Sequence, residues 1–131
     1  MAAAKNVLII TDDSKETAEM ASGIVAALEG NNVSVKAVSK FKGNDILPAE
    51  VFFLGCEEAN PEPFSYLKDL FKHINLAGRP CGVFSPGSQK AAEFLASMIH
   101  DSEAALNPKL LLGSMKNEIN NWSQDVISKS F

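Results

Sequence analysis

A chain of 131 residues, 46% of them apolar, is long enough to bury a real core and too apolar for disorder; it reads as a single domain over residues 1–131. A formal net charge of −4 and a lone arginine, Arg79, leave no basic cluster, which argues against a nucleic-acid partner. No apolar run reaches membrane-spanning length and Met1–Lys5 lacks the apolar centre of a signal peptide, so the expected address is cytoplasmic, with no membrane partner.

Asn6-Val7-Leu8-Ile9-Ile10 is an unbroken apolar run rich in β-branched residues, the pattern of a strand buried on both faces of a parallel sheet. It gives way to the polar stretch Thr11 to Thr17. A helix is expected over about Lys15–Glu29, with Thr17, Ala21, Ile24, Val25 and Leu28 on one face, and Gly30-Asn31-Asn32 ends it. Val33–Val38 alternates apolar and polar residues, as an edge strand with one wet face does. Residues 39–49 promise no more than a short helical turn around Asp45. Glu50–Gly55 is the next apolar strand, and Cys56–Pro63 the loop after it.

A helix is expected to begin near Pro61–Phe64, since proline suits a first turn, and to bury Phe64, Leu67, Leu70, Phe71 and Ile74 before Gly78-Arg79-Pro80 breaks it. Cys81–Ser85 is a strand, followed by the loop Pro86-Gly87-Ser88 and a helix that buries Ala91, Phe94, Leu95 and Met98 and ends near His100. Asn107-Pro108 marks a turn, Lys109–Gly113 a last strand, and Ser114 the cap of a last helix with Met115, Ile119, Trp122 and Val126 on its inner face.

Strands alternating with helices predict an α/β fold: a three-layer, doubly wound, five-stranded parallel sheet in the order 2-1-3-4-5. Such sheets bind ligands outside the carboxyl ends of their strands, where three loops gather here: residues 11–17, 55–63 and 85–89. Cys56 and Cys81 fall at opposite ends of neighbouring strands, too far apart for a disulfide, and reduced thiols suit the cytosol.

Several loop residues carry two readings. Asp13 with Glu16 spells a capping box, and Ser14 with Thr17 can do similar work. Cys56 is a loop thiol able to act as a nucleophile or redox group, or a packed neutral side chain. Glu57, Glu58 and Glu62 form a solvated acidic loop that is also able to dock a basic redox or regulatory protein. His73 and His100 close helices, and their spacing suits no metal site. Phe41 is either an exposed contact or packed under the second strand.

Taken together, three features resemble a short flavodoxin over about residues 5–128. They are the hydroxyl-bearing turn after the first strand, the acidic stretch from Asp45 into the apolar strand that ends at Gly55 with a Leu67-x-x-x-Phe71 helix behind it, and Gly78-Arg79-Pro80-Cys81-Gly82-Val83-Phe84. The resemblance implies a flavodoxin-like electron carrier that holds FMN without a covalent link and converts no substrate. It also implies where FMN would lie. Thr11, Asp12, Asp13, Ser14, Lys15, Glu16 and Thr17 would wrap the phosphate, with Ser14, Lys15 and Thr17 as its direct holders. Gly55, Cys56, Glu57 and Asn60, with Ser85, Pro86, Gly87 and Ser88, would flank the ring. The family's first loop reads roughly Ser/Thr-x-Thr-Gly-x-Thr. Here Asp12 replaces a hydroxyl and Lys15 the glycine, and the ring-flanking loops contain no Trp or Tyr. These departures define an alternative: a flavin-free binding or regulatory module with a degenerate phosphate loop. Val7–Ser14 also resembles the opening of a response-regulator receiver, whose acidic pair helps hold magnesium. That likeness fails where the receiver's aspartate and lysine should stand, at Gly55-Cys56 and Leu112-Gly113.

Overall fold

Alternation along the first strand sets the architecture. In the computed structural model, which describes residues 4–59, 62–113 and 115–131, β1 spans Asn6–Thr11 and is hydrogen-bonded on both sides. Val7 and Ile9 point to one face, Leu8 and Ile10 to the other, and all four are buried. β2 (Asn32–Ala37) and β3 (Val51–Gly55) flank β1 in parallel; β4 (Pro80–Ser85) pairs with β3. The order is β2-β1-β3-β4-β5, as the sequence predicts. β2 is the wet edge, with Val35 47% exposed.

Helices cover both faces. α1 (Lys15–Ala27) and α4 (Lys116–Ile127) pack with Val7, Ile9, Val51 and Phe53. α2 (Ser65–His73) and α3 (Gln89–His100) pack on the opposite face with Leu8, Ile10, Phe52 and Leu54. His73 and His100 stand in the last turns of α2 and α3. Among the described residues no helix is long and apolar enough to cross a membrane.

Three expectations need correction. The last strand is not one run over 109–113. Its place is taken by β5 (Ala105–Leu106), paired with Pro80-Cys81, and β6 (Leu111–Leu112), paired with Phe84-Ser85. The break has a local cause: Pro108 has no N–H, and the Asn107 side chain turns the chain by accepting the Lys109 N–H at 2.9 Å. Val25 is 37% exposed because Met20, not Val25, completes the buried stripe of α1. Met115 is 68% exposed, since α4 starts after it and the buried face begins at Ile119. Ser114, expected as the cap there, lies outside the described residues, as do Asn60 and Pro61.

The β2–β3 crossover has no α-helix, only short turns at Val38–Lys40 and Gly43–Asp45. Asp45 organises the second turn. It accepts the Lys42 N–H at 2.8 Å and pairs with Lys36 at 3.0 Å, and these contacts, the backbone one first, hold its carboxyl below the usual range. Arg79 secures the segment from the far side: its Nη1 donates to the carbonyls of Ile46 at 3.0 Å and Ala49 at 2.9 Å. Phe41 is packed, 7% exposed, edge-on to Tyr66 at 6.3 Å.

Candidate functional site

The loops after β1, β3 and β4 emerge at one edge because the strands are parallel and in register there. Thr11 stands beside Gly55, and Gly55 beside Phe84. The ladder runs on into the loops through Asp12 N–H to Gly55 O at 3.2 Å and Cys56 N–H to Phe84 O at 3.4 Å.

In the first loop the donors converge on a side chain of the protein itself. Asp12 Oδ1 accepts the Ser14 N–H at 3.2 Å and the Ser14 hydroxyl at 2.7 Å. Asp12 Oδ2 accepts the Glu57 N–H at 2.8 Å, across from the second loop. Ser14 Oγ also lies 2.6 Å from Thr17 Oγ1, which is fully buried. One hydroxyl proton serves one acceptor, and the ionised carboxylate is the stronger of the two. Hydrogen bonds to a charged partner each contribute about 1.5–3 kcal/mol, so this loop holds a definite shape.

The capping reading changes accordingly. Ser14, not Asp13, is the N-cap of α1, and its side chain makes no cap hydrogen bond. Asp13 instead accepts from the Ser39 hydroxyl at 3.3 Å, turned towards the end of β2. Thr11 is buried at the end of β1; Lys15 and Glu16 are exposed on the first turn of α1.

The third loop is occupied with its own helix. Ser85 Oγ accepts the Ser88 N–H at 3.2 Å, and Ser88 Oγ accepts the Ala91 N–H at 3.1 Å, the cap of α3. Pro86 is half-buried and Gly87 exposed between them. Gly55 has a packing role: a Cβ there would stand inside the ring of Phe84.

Cys56 is fully buried, with Sγ 4.0 Å from Ala91 O. Desolvation, then the nearby negative charge of Asp12, pushes its thiol up from an ordinary 9.0 to about 12, and burial alone raises that of Cys81. The packed reading of Cys56 fits this environment. Both thiols should therefore resist a thiol reagent at neutral pH in the native protein and react fully once it is unfolded. Because the folded value of Cys56 is the raised one, its contribution to stability is complete below pH 9 and fades as pH rises from 9 towards 12. Rapid native-state labelling at neutral pH would contradict this environment.

A cleft of about 260 Å³ lies between the first and second loops, lined by Asp12, Glu57, Glu58, Pro63 and Phe64. The third loop does not line it. Its walls are acidic, and its volume falls below the ~300–1,000 Å³ of ordinary small-molecule pockets. A larger groove, about 490 Å³, runs between α1 and α4 along Glu19, Gly23, Asn117 and Ile119.

This geometry does not suit FMN as it stands. The first loop's donors already hold a carboxylate, and a phosphate placed beside it would meet repulsion of roughly 1–4 kcal/mol per pair of unit charges at ~4 Å. The aromatics expected to be absent from the edge are engaged elsewhere. Tyr66 accepts the Gly43 N–H at 3.1 Å, and Trp122 lies in the core against Phe53 at 5.4 Å. The receiver reading finds no aspartate at the end of β3, which closes with Gly55 and Cys56. Among the described residues no group of three or more His, Cys, Asp or Glu is arranged to hold a metal ion.

No protein-family model and no curated protein matches this sequence. Solved structures do match it. Oxidised flavodoxin 2 from Bacillus cereus superposes with a TM-score of 0.81 at 18% identity, over 96% of this chain and 99% of that one. A flavodoxin from Streptococcus pneumoniae TIGR4 gives 0.80 at 15% identity, covering 95% and 98%. A short-chain flavodoxin associated with a PDU bacterial microcompartment gives 0.80 at 14%, covering 97% and 99%. The chain therefore has the flavodoxin-like fold.

Proposed function

We propose that this protein is a flavin-free module of flavodoxin-like fold that works by docking a protein partner at the carboxyl edge of its sheet, in the cytoplasm. The observation that carries the reading is the Asp12 carboxylate, which takes the Ser14 N–H, the Ser14 hydroxyl and the Glu57 N–H that an incoming phosphate would need. The acidic cleft supports a partner with a basic surface: Asp12, Glu57 and Glu58 line it, and Glu62 adds charge close by in sequence. Charge complementarity of this kind speeds encounter and rejects wrong partners. No catalytic residue and no substrate conversion are assigned.

A second reading is an FMN-binding electron carrier. The likeness to solved flavodoxin structures favours it, as does the pair of hydroxyls, Ser14 and Thr17, at the start of α1. In that case Ser14, Lys15 and Thr17 would hold the phosphate, and the protein would position the flavin and tune its potential. The visible absorption spectrum of the freshly purified protein separates the two. The flavin-free reading expects a colourless protein. Flavin bands that persist through gel filtration would replace it with the electron carrier.

A further inference from the structure

We infer that the open edge of β2 pairs with the β2 edge of a second copy of this chain, antiparallel about a two-fold axis, so that two sheets run together as one. The inference is independent of the docking reading above, and none of its residues lines the acidic cleft.

Four observations lead there. First, the two edges of the sheet are built differently. At one, β5 and β6 hold two residues each and Pro108 stands between them, too short and broken a run to template a further strand. At the other, β2 runs over Asn32–Ala37 in continuous register with β1, without proline, glycine or bulge. Second, the one charge in β2 is engaged within the chain. Lys36 Nζ pairs with Asp45 at 3.0 Å, which neutralises the residue that would otherwise repel an incoming strand. Third, the free backbone groups and the apolar side chains of β2 belong to the same residues. Asn32 N–H donates to Lys5 O, so by the alternation of the ladder the backbone of residues 32, 34 and 36 faces β1. That of Val33 and Val35, with the Ala37 N–H, faces outward. These three side chains share the face that carries Val7 and Ile9 in β1, and Val35 stands half exposed there. Hydrogen-bonded antiparallel pairing sets outward-facing residues opposite one another. Valine and alanine then meet valine and alanine across the junction, with Val35 against its own copy at the axis. Fourth, the flanks are complementary. Glu29 is exposed in the turn before β2, and Lys40 in the turn after it. An antiparallel mate brings each glutamate towards the other copy's lysine, whereas a parallel mate sets like charges side by side. This self-complementarity points to a second copy and not to an unrelated extended segment.

The test follows oligomeric state by sedimentation velocity across protein concentration. The junction is small and each copy carries a net charge of −4, so the dimer should be weak, half-dissociated at roughly 10–100 µM. The Val33 and Val35 amides should gain protection from hydrogen exchange as concentration rises. Val35→Lys sets a charge against its own copy at the axis and should weaken the dimer at least roughly tenfold, with an unchanged circular dichroism spectrum. Val35→Pro removes an outward N–H, which an edge strand tolerates, and should do the same. A wild type that stays monomeric to ~1 mM overturns the inference and leaves the edge open to a strand of another protein. A dimer that survives both substitutions overturns it too, because the contact then lies elsewhere. Orientation is read with Val35→Cys. Cys56 and Cys81 are buried, so the added thiol reacts alone. Oxidation should join two copies through position 35 faster than through Ser22→Cys, on the exposed side of α1. Equal rates at the two positions contradict pairing about Val35, and this comparison decides even where the lysine or proline variant fails to fold.

Discussion

Replacing Trp122 by alanine should lower stability by about 3–5 kcal/mol, the usual cost of deleting a large buried aromatic. The side chain is 2% exposed and sits where α4 crosses the sheet. It meets Phe53 at 5.4 Å and Phe84 edge-on at 6.3 Å, and its indole N–H donates to Lys109 O at 2.8 Å. The sheet has made room for it: a Cβ on Gly82 would come within 2.7 Å of the indole. Trp122→Phe keeps much of the volume and loses the hydrogen bond, so it should cost less. Denaturant melts of the two variants check this ordering. An alanine variant that unfolds with the wild type would mean that the α4 face is not packed as described.

Gly55→Ala should also be strongly destabilising, by about 3 kcal/mol, through overpacking in place of a cavity. The added methyl falls within the Phe84 ring, and that ring is fully buried against Trp122. Relief requires β3 to move away from β4, which would also draw the Glu57 N–H away from Asp12. The variant should therefore lose amide protection at Glu57 as well as stability, measured by hydrogen exchange and by melting. A variant of wild-type stability would show that Phe84 has space to turn. The two substitutions touch one cluster, so their effects combined should not add.

Much of the fold was legible in the sequence because β1, β3 and β4 are buried on both faces and each writes a run of apolar residues. The order of the strands then follows from right-handed crossovers. The split at the last strand was less legible. Asn107-Pro108 was visible as a turn, but nothing local shows that residues before it also pair with β4; that depends on where Pro80 and Cys81 lie in space. The stripe of α1 was misread at Val25 because helical spacing admits both Met20 and Val25, and the sheet beneath decides between them. Arg79 stood in the stretch that carries the resemblance, but its structural duty was not legible, since its partners are backbone carbonyls thirty or more residues away in the chain.

The site was half legible. The departure at Asp12 stood out against the resemblance, as a charge where a hydroxyl belongs. Its role did not, because the Glu57 N–H that completes its hydrogen bonding arrives from another loop. Gly55, Ser85 and Ser88 were correctly placed at the edge. Their structural duties, ring clearance and helix capping, emerge only from contacts. A capping-box pattern at Asp13 and Glu16 matched the sequence template, yet the chain enters α1 one residue later, through Ser14.

Whether the first loop can accept a phosphate while Asp12 is present is tested directly by titrating the wild-type protein into FMN and following flavin fluorescence. With the Asp12 carboxylate in place, no saturable quenching is expected at micromolar FMN, and the spectrum should remain that of free flavin. Quenching that saturates at one FMN per chain would contradict the flavin-free reading, because Asp12 would then have to leave its three donors to make way for the phosphate.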